Sequence, residues 1–115
     1  MGIRERTSPG SPEPTLGERF GLNLRRNRRQ AGLSQEALAN LAGLSRPHIS
    51  VLERGLDLPR IDTVLRVAAG TNVSVCALLE GMEWRPGRYG NGDFYVEHPA
   101  ARLRRGVLDV QRPAI

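Results

Sequence analysis

The sequence predicts an all-α domain of five short helices, followed by a short extension able to form a β-hairpin. Three observations predict it. Between Thr15 and Gly81 lie five segments with apolar residues at helical spacing; four of them follow a Ser or Thr that can cap a helix, and each ends at Gly or Asn. After Met82 this rhythm ends, and the turn signal Asn91-Gly92 leads into the strand formers Phe94, Tyr95 and Val96. Before Thr15, the prolines at 9, 12 and 14 lie among Ser, Gly and charged residues, a composition that buries too little surface to offset the cost of ordering. The expected organisation is a flexible arm over 1–14, a helical domain over 15–81 and an extension over 82–115.

The first helix starts at Thr15 and Glu18, spaced for a capping box in which each side chain satisfies an otherwise unpaired amide. Phe20, Leu24 and Ala31 follow at helical spacing, and Gly32 ends it. Ser34 caps a second helix with Ala37, Leu38 and Leu41 as its apolar face, stopped by Gly43. Ser45 caps a third, in which Ile49 and Leu52 face inward and Gly55 closes. Pro47 falls in its first turn, where no intrahelical donor is lost. A fourth runs from about Ile61 to Ala69 with Ile61, Leu65 and Ala68 inside, and Asn72 suits the left-handed position at its end. Ser74 caps a short fifth through Leu78 and Leu79 to Gly81. The hairpin is expected over about Arg88 to Val96. Pro99 to Arg105 could add one or two helical turns, and Val107 to Ile115 fits no single state.

With 115 residues the chain holds one domain plus tails, and a core of that size gains from a partner. The net charge is +5, carried by 17 basic residues that are all arginine. The absence of lysine is consistent with GC-rich coding and carries no mechanistic signal by itself. Arginine nonetheless suits phosphate and guanine, because its planar fork donates two parallel hydrogen bonds. A single cysteine, Cys76, excludes an intrachain disulfide, and its apolar helical setting predicts a small core residue. No apolar run is long enough to cross a bilayer, and Arg4 to Arg6 lead into a Ser/Pro/Gly stretch rather than a secretory signal. A soluble, cytoplasmic (nucleoid-associated) protein is expected.

The informative segment runs from Ser34 to Gly55. Two short helices meet at a tight turn through Gly43, with Leu44 behind it and Ala39 small enough to let the helices approach. That arrangement projects the first turn of the third helix outward. The segment closely resembles the Cro/repressor-type (XRE) family of helix-turn-helix regulators over Leu16 to Gly81. The matching pieces are Ser34-Gln35-Glu36, Leu38-Ala39, Gly43-Leu44-Ser45, Ile49-Ser50, Leu52-Glu53-Arg54-Gly55, Pro59 and Val73-Ser74. Each is weak alone, and their joint order and spacing is specific.

The resemblance implies a lambda-repressor-like fold that binds double-stranded DNA with the first turn of its third helix in the major groove. It assigns Gln35 to a phosphate and to bracing the recognition helix. It sets Arg46, Pro47, Ser50 and Val51 toward the groove floor, with Arg46 donating to guanine and Val51 facing a thymine methyl. His48 could reach a base edge or phosphate, or equally be an exposed first-turn residue. Arg54 and Arg60 would grip phosphates. Arg28 and Glu53 match positions that often form a buried ion pair. Arg25 and Arg29 crowd the end of the first helix, where the helix dipole explains them better than phosphate contact does. Three departures stand out: Arg60 in place of a Ser or Thr cap, Asn27 in place of a leucine, and Gly70-Thr71 in place of a better helix-forming pair. Together they predict a looser fourth helix or adjusted packing.

A homodimer reading an inverted repeat is expected. Trp84, Tyr89, Phe94, Tyr95 and Val96 are candidates for its surface, against the alternative that these residues fold back on their own fifth helix. The arm with Arg4 and Arg6 could also touch DNA, although a disordered leader is the favoured expectation. A second class remains open, a protein-interaction module (antitoxin-like or coactivator-bridging) working through the extension. An enzyme is not supported: His48 and His98 are far apart, the carboxylates are scattered, and no phosphate loop follows a strand. No cofactor, metal, membrane or small-molecule ligand is indicated.

Overall fold

The structure is a computed structural model and describes residues 13–98. The expected arm over 1–14, except Glu13 and Pro14, and the readings of Pro99 to Arg105 and Val107 to Ile115 lie outside them. Among the described residues the elements are α1 (Leu16–Gln30), α2 (Gln35–Ala42), α3 (Arg46–Glu53), α4 (Ile61–Thr71), α5 (Val75–Leu78), β1 (Met82–Pro86) and β2 (Gly92–Val96).

The helix starts follow from local chemistry. Thr15 and Glu18 form the reciprocal capping box, with distances of 3.0 and 3.1 Å. Ser34 and Ser45 accept from the amides of Ala37 and His48 at 3.0 and 3.2 Å. Arg60 makes no side-chain cap to α4, the weak start expected of that substitution.

Phe20, Leu24, Leu38, Ala39, Ile49, Leu52, Val64, Val67 and Leu78 form the core, with Leu33 and Leu44 packed against it. Two of the predicted faces need rotating. In α2 the inward residues are Leu38, Ala39 and Ala42, while Ala37 is half-buried and Leu41 is exposed. In α4, Ile61 and Leu65 point outward, at 71% and 55% exposure, and Val64, Val67, Ala68 and Thr71 point inward. The apolar residues of α4 cover a wider arc than the stripe it buries, so packing against α2 and α5 decides which of them turn inward. Ala31 is an exposed C-cap and Leu79 an exposed one at α5. Cys76 is exposed, not a core residue, because α5 ends after four residues and turns only Leu78 fully inward.

Gly70 and Thr71 do not loosen α4, which continues through both. A Cβ at Gly70 would come within 2.7 Å of Leu38 Cδ1, so the glycine admits α2. Thr71 is buried and its hydroxyl donates to the Val67 carbonyl at 2.7 Å. Asn27, where a leucine is common, is buried and donates to the Asn23 carbonyl at 2.8 Å.

The backbones of α1 and α3 meet at Gly21, where a Cβ would lie 2.5 Å from the Leu52 carbonyl oxygen and 2.6 Å from that of Glu53. Neither atom can swing aside. Gly21→Ala is therefore expected to destabilise by about 1–3 kcal/mol as an overpacked contact, read as a lower thermal midpoint. An unchanged midpoint would mean that the two helices separate freely.

The hairpin is real but longer than expected. Its strands pair antiparallel from Met82↔Val96 to Pro86↔Gly92, so it begins at Met82 rather than Arg88. Asn91-Gly92 is not the two-residue turn. Residues 87–91 make the loop, and the positive φ falls at Gly90. Trp84 and Phe94 are cross-strand partners in an edge-to-face pair with centroids 5.0 Å apart, a contact that sets the register where the turn signal suggested another.

The hairpin is tied to the helices by polar side chains of α1. Arg19, 2% exposed, donates to the carbonyls of Glu80 and Glu97 at 3.1 and 3.0 Å. Asn23 donates to the carbonyls of Leu78 and Glu80, and Arg26 pairs with the Glu80 carboxylate at 2.8 Å.

Candidate nucleic-acid interface

The third helix presents two contrasting faces. Ile49 and Leu52 are fully buried. On its outer side Arg46 and Pro47 are exposed and His48, Ser50 and Val51 half-buried. Its first turn holds no acidic residue, so the positive end of the helix dipole and Arg46 point the same way electrostatically.

Behind that face lies a hydrogen-bonded knot. The Arg28 guanidinium straddles the Glu53 carboxylate, Nε to Oε2 at 2.6 Å and Nη2 to Oε1 at 3.0 Å, and its Nη1 reaches the Leu33 carbonyl at 2.8 Å. Gln35 Nε2 donates to Glu53 Oε1 at 3.1 Å. Three helices are thus joined through one carboxylate. The hydrogen bond to Glu53 raises the Arg28 pKa against the opposing effect of burial, and the guanidinium stays charged. Gln35 spends one amide hydrogen on Glu53 and keeps a second to donate outward.

Arg54 is exposed at the end of α3, with only a long contact of 3.4 Å from Nε to the Ser50 carbonyl. Arg60 pairs with Asp62 at 3.3 Å, but the two side chains are 83% and 51% exposed. Such a pair is worth little and can be exchanged for a phosphate.

The candidate dimer residues divide between two faces of the hairpin. Trp84 and Phe94 border an open apolar depression of about 310 Å³ together with Phe20, Leu58, Leu79 and Met82 of the same chain. On the opposite face Tyr95 lies 3.8 Å from the Arg85 guanidinium. Tyr89 projects from the loop at 86% exposure, and Val96 is half-buried.

Sequence reasoning missed Arg19, Asn23, Gly21 and Arg66. The first two left a trace, a stripe of hydrogen-bonding residues beside the apolar positions of α1. Gly21 is a glycine inside a helix, which signals close approach.

A short helix held in a five-helix domain by its rear face, with its basic first turn exposed, defines a helix-turn-helix DNA-binding domain. Residues 24–78 match the family described as Helix-turn-helix. The chain is 33% identical over 87 residues to the HTH-type transcriptional regulator DdrOP3 of Deinococcus deserti, a match covering 76% of this chain and 60% of that relative. The restriction-modification controller protein C.AhdI of Aeromonas hydrophila superposes with a TM-score of 0.53 at 35% identity, over 54% of this chain and 94% of that one. The P22 c2 repressor, solved with a synthetic operator, superposes at 0.51 with 29% identity, again over 54% and 94%. The chain belongs to the helix-turn-helix family of Cro/repressor (XRE) type. That family and these relatives are transcriptional regulators, not enzymes. Among the described residues no helix is long and apolar enough to cross a membrane.

Proposed function

We propose that the protein is a cytoplasmic, sequence-specific regulator that binds double-stranded DNA as a homodimer, each copy inserting the first turn of α3 into the major groove of an inverted-repeat operator. The observation that carries this reading is the exposed Arg46 turn on a helix whose rear is locked by Ile49, Leu52 and the Arg28–Glu53–Gln35 knot. The P22 c2 repressor, of like fold, was solved on an operator, which supports DNA as the ligand. Arg46 reads guanine through its two-pronged donor, while Val51 offers an apolar contact to a thymine methyl. Pro47, His48 and Ser50 complete the groove face. Gln35, Arg54 and Arg60 bind phosphates and fix the docking.

Trp84, Tyr89, Phe94, Tyr95 and Val96 supply the dimer contact from the 82–115 extension. Aromatic side chains that remain about half exposed on a two-stranded sheet are suited to burial against a second copy. Selection of bound duplexes from a random pool, at a stated salt near physiological, tests the whole. Enrichment of an inverted repeat with half-sites about ten base pairs apart is expected. Binding that enriches nothing and simply decays with salt would reduce the interface to charge alone.

A further inference from the structure

The α2–α3 turn carries a second clamp that the DNA-reading residues do not include. Arg66, on α4, donates from Nη1 to the carbonyl of Ala42, the last residue of α2, at 3.2 Å. That carbonyl belongs to the negative end of α2, and α2 has no basic residue of its own in its last turn. The same Nη1 sits 2.7 Å from where a Cβ of Gly43 would be. Gly43 therefore answers two demands: a φ of 71°, and room for a guanidinium laid across the turn. Within the turn, the Leu44 amide returns to the Ala39 carbonyl at 2.9 Å. Two residues after Leu44, α3 begins with Arg46.

We infer that Arg66 is a positioning residue for sequence reading, which fixes the start of α3 from outside the helix-turn-helix. Arg28 does the same for the other end of the helix through Glu53. Arg28 touches the last residue of α3 itself, whereas Arg66 touches the last residue of α2 and acts on α3 through the turn. The start matters more for reading, because Arg46 stands there and a two-pronged contact to a base tolerates little rotation. The role rests on the DNA-reading function proposed above.

The test compares wild type, Arg66→Ala and Arg66→Lys as full chains, using the selected operator and a scrambled duplex over a range of salt. Arg66→Ala is expected to lose about three- to tenfold in operator affinity, the effect of one hydrogen bond. Affinity for scrambled DNA and the slope of binding against salt should stay unchanged. Arg66→Lys, which can still donate to Ala42, should recover most of the loss. Amide exchange at Leu44 should quicken in the alanine variant alone.

Equal losses on both duplexes, with a salt slope lowered by about one, would make Arg66 a phosphate ligand and overturn the positioning role. An unchanged ratio of operator to scrambled affinity would also overturn it. A wild-type chain that selects no sequence would sink the DNA-reading function and this role with it. Faster Leu44 exchange would then show a turn clamp that is structural only.

Discussion

Glu53→Ala is expected to destabilise the fold by about 3–5 kcal/mol, the cost of leaving a buried partner charge uncompensated. The side chains of Arg28 and Glu53 are only 10% and 4% exposed, so water cannot replace the lost carboxylate. Since domains of this kind have net stabilities of about 5–15 kcal/mol, such a loss should be plain in chemical denaturation at room temperature. The double variant Arg28→Met, Glu53→Leu removes both charges and should recover most of the loss, as apolar replacements of buried pairs often do. A single-variant loss below about 1 kcal/mol would show that the pair behaves as a surface one. No acid or alkaline transition near neutrality is expected from Arg28. Its pKa is raised in the folded state, so its contribution is complete below the ordinary guanidinium range and lost only in stronger alkali.

Arg46→Ala is expected to have the largest functional effect under the proposed DNA-reading role. Each two-pronged arginine–guanine contact contributes about 1–3 kcal/mol of discrimination, and a dimer makes the contact twice. Repeating the duplex selection with this variant should relax one position in each half-site while the neighbouring positions and the fold are kept. Arg46 is exposed, so melting should not change. A protein-docking module working through the hairpin would be indifferent to Arg46→Ala, and equal selection by wild type and variant would favour that class.

Most of the fold and the candidate interface could be read from local chemistry. Thr15, Ser34, Ser45 and Ser74 cap helices through hydrogen bonds spanning three residues, which is a property of sequence alone. Arg28 and Glu53, by contrast, are 25 positions apart, and their pairing was accessible only through a resemblance. The hairpin's existence followed from its strand formers, whereas its register did not. Asn91-Gly92 is a strong local turn signal, yet the Trp84–Phe94 contact and the Glu97 amide on the Gly81 carbonyl, at 2.7 Å, outweigh it. The α4 face was misread for a related reason: its apolar arc is wider than the stripe it buries, and the neighbours α2 and α5 choose which residues of that arc are inside.

By itself, then, the sequence determined the number of helices, the capped starts of all but α4 and the basic residue that opens α3, because each depends on residues a few positions apart. Tertiary structure alone decided the inward face of α4, the hairpin register, the Arg19 tether and the Arg66 contact to the turn. Those depend on surfaces and hydrogen-bonding groups brought together from distant segments, whose meeting no local spacing encodes.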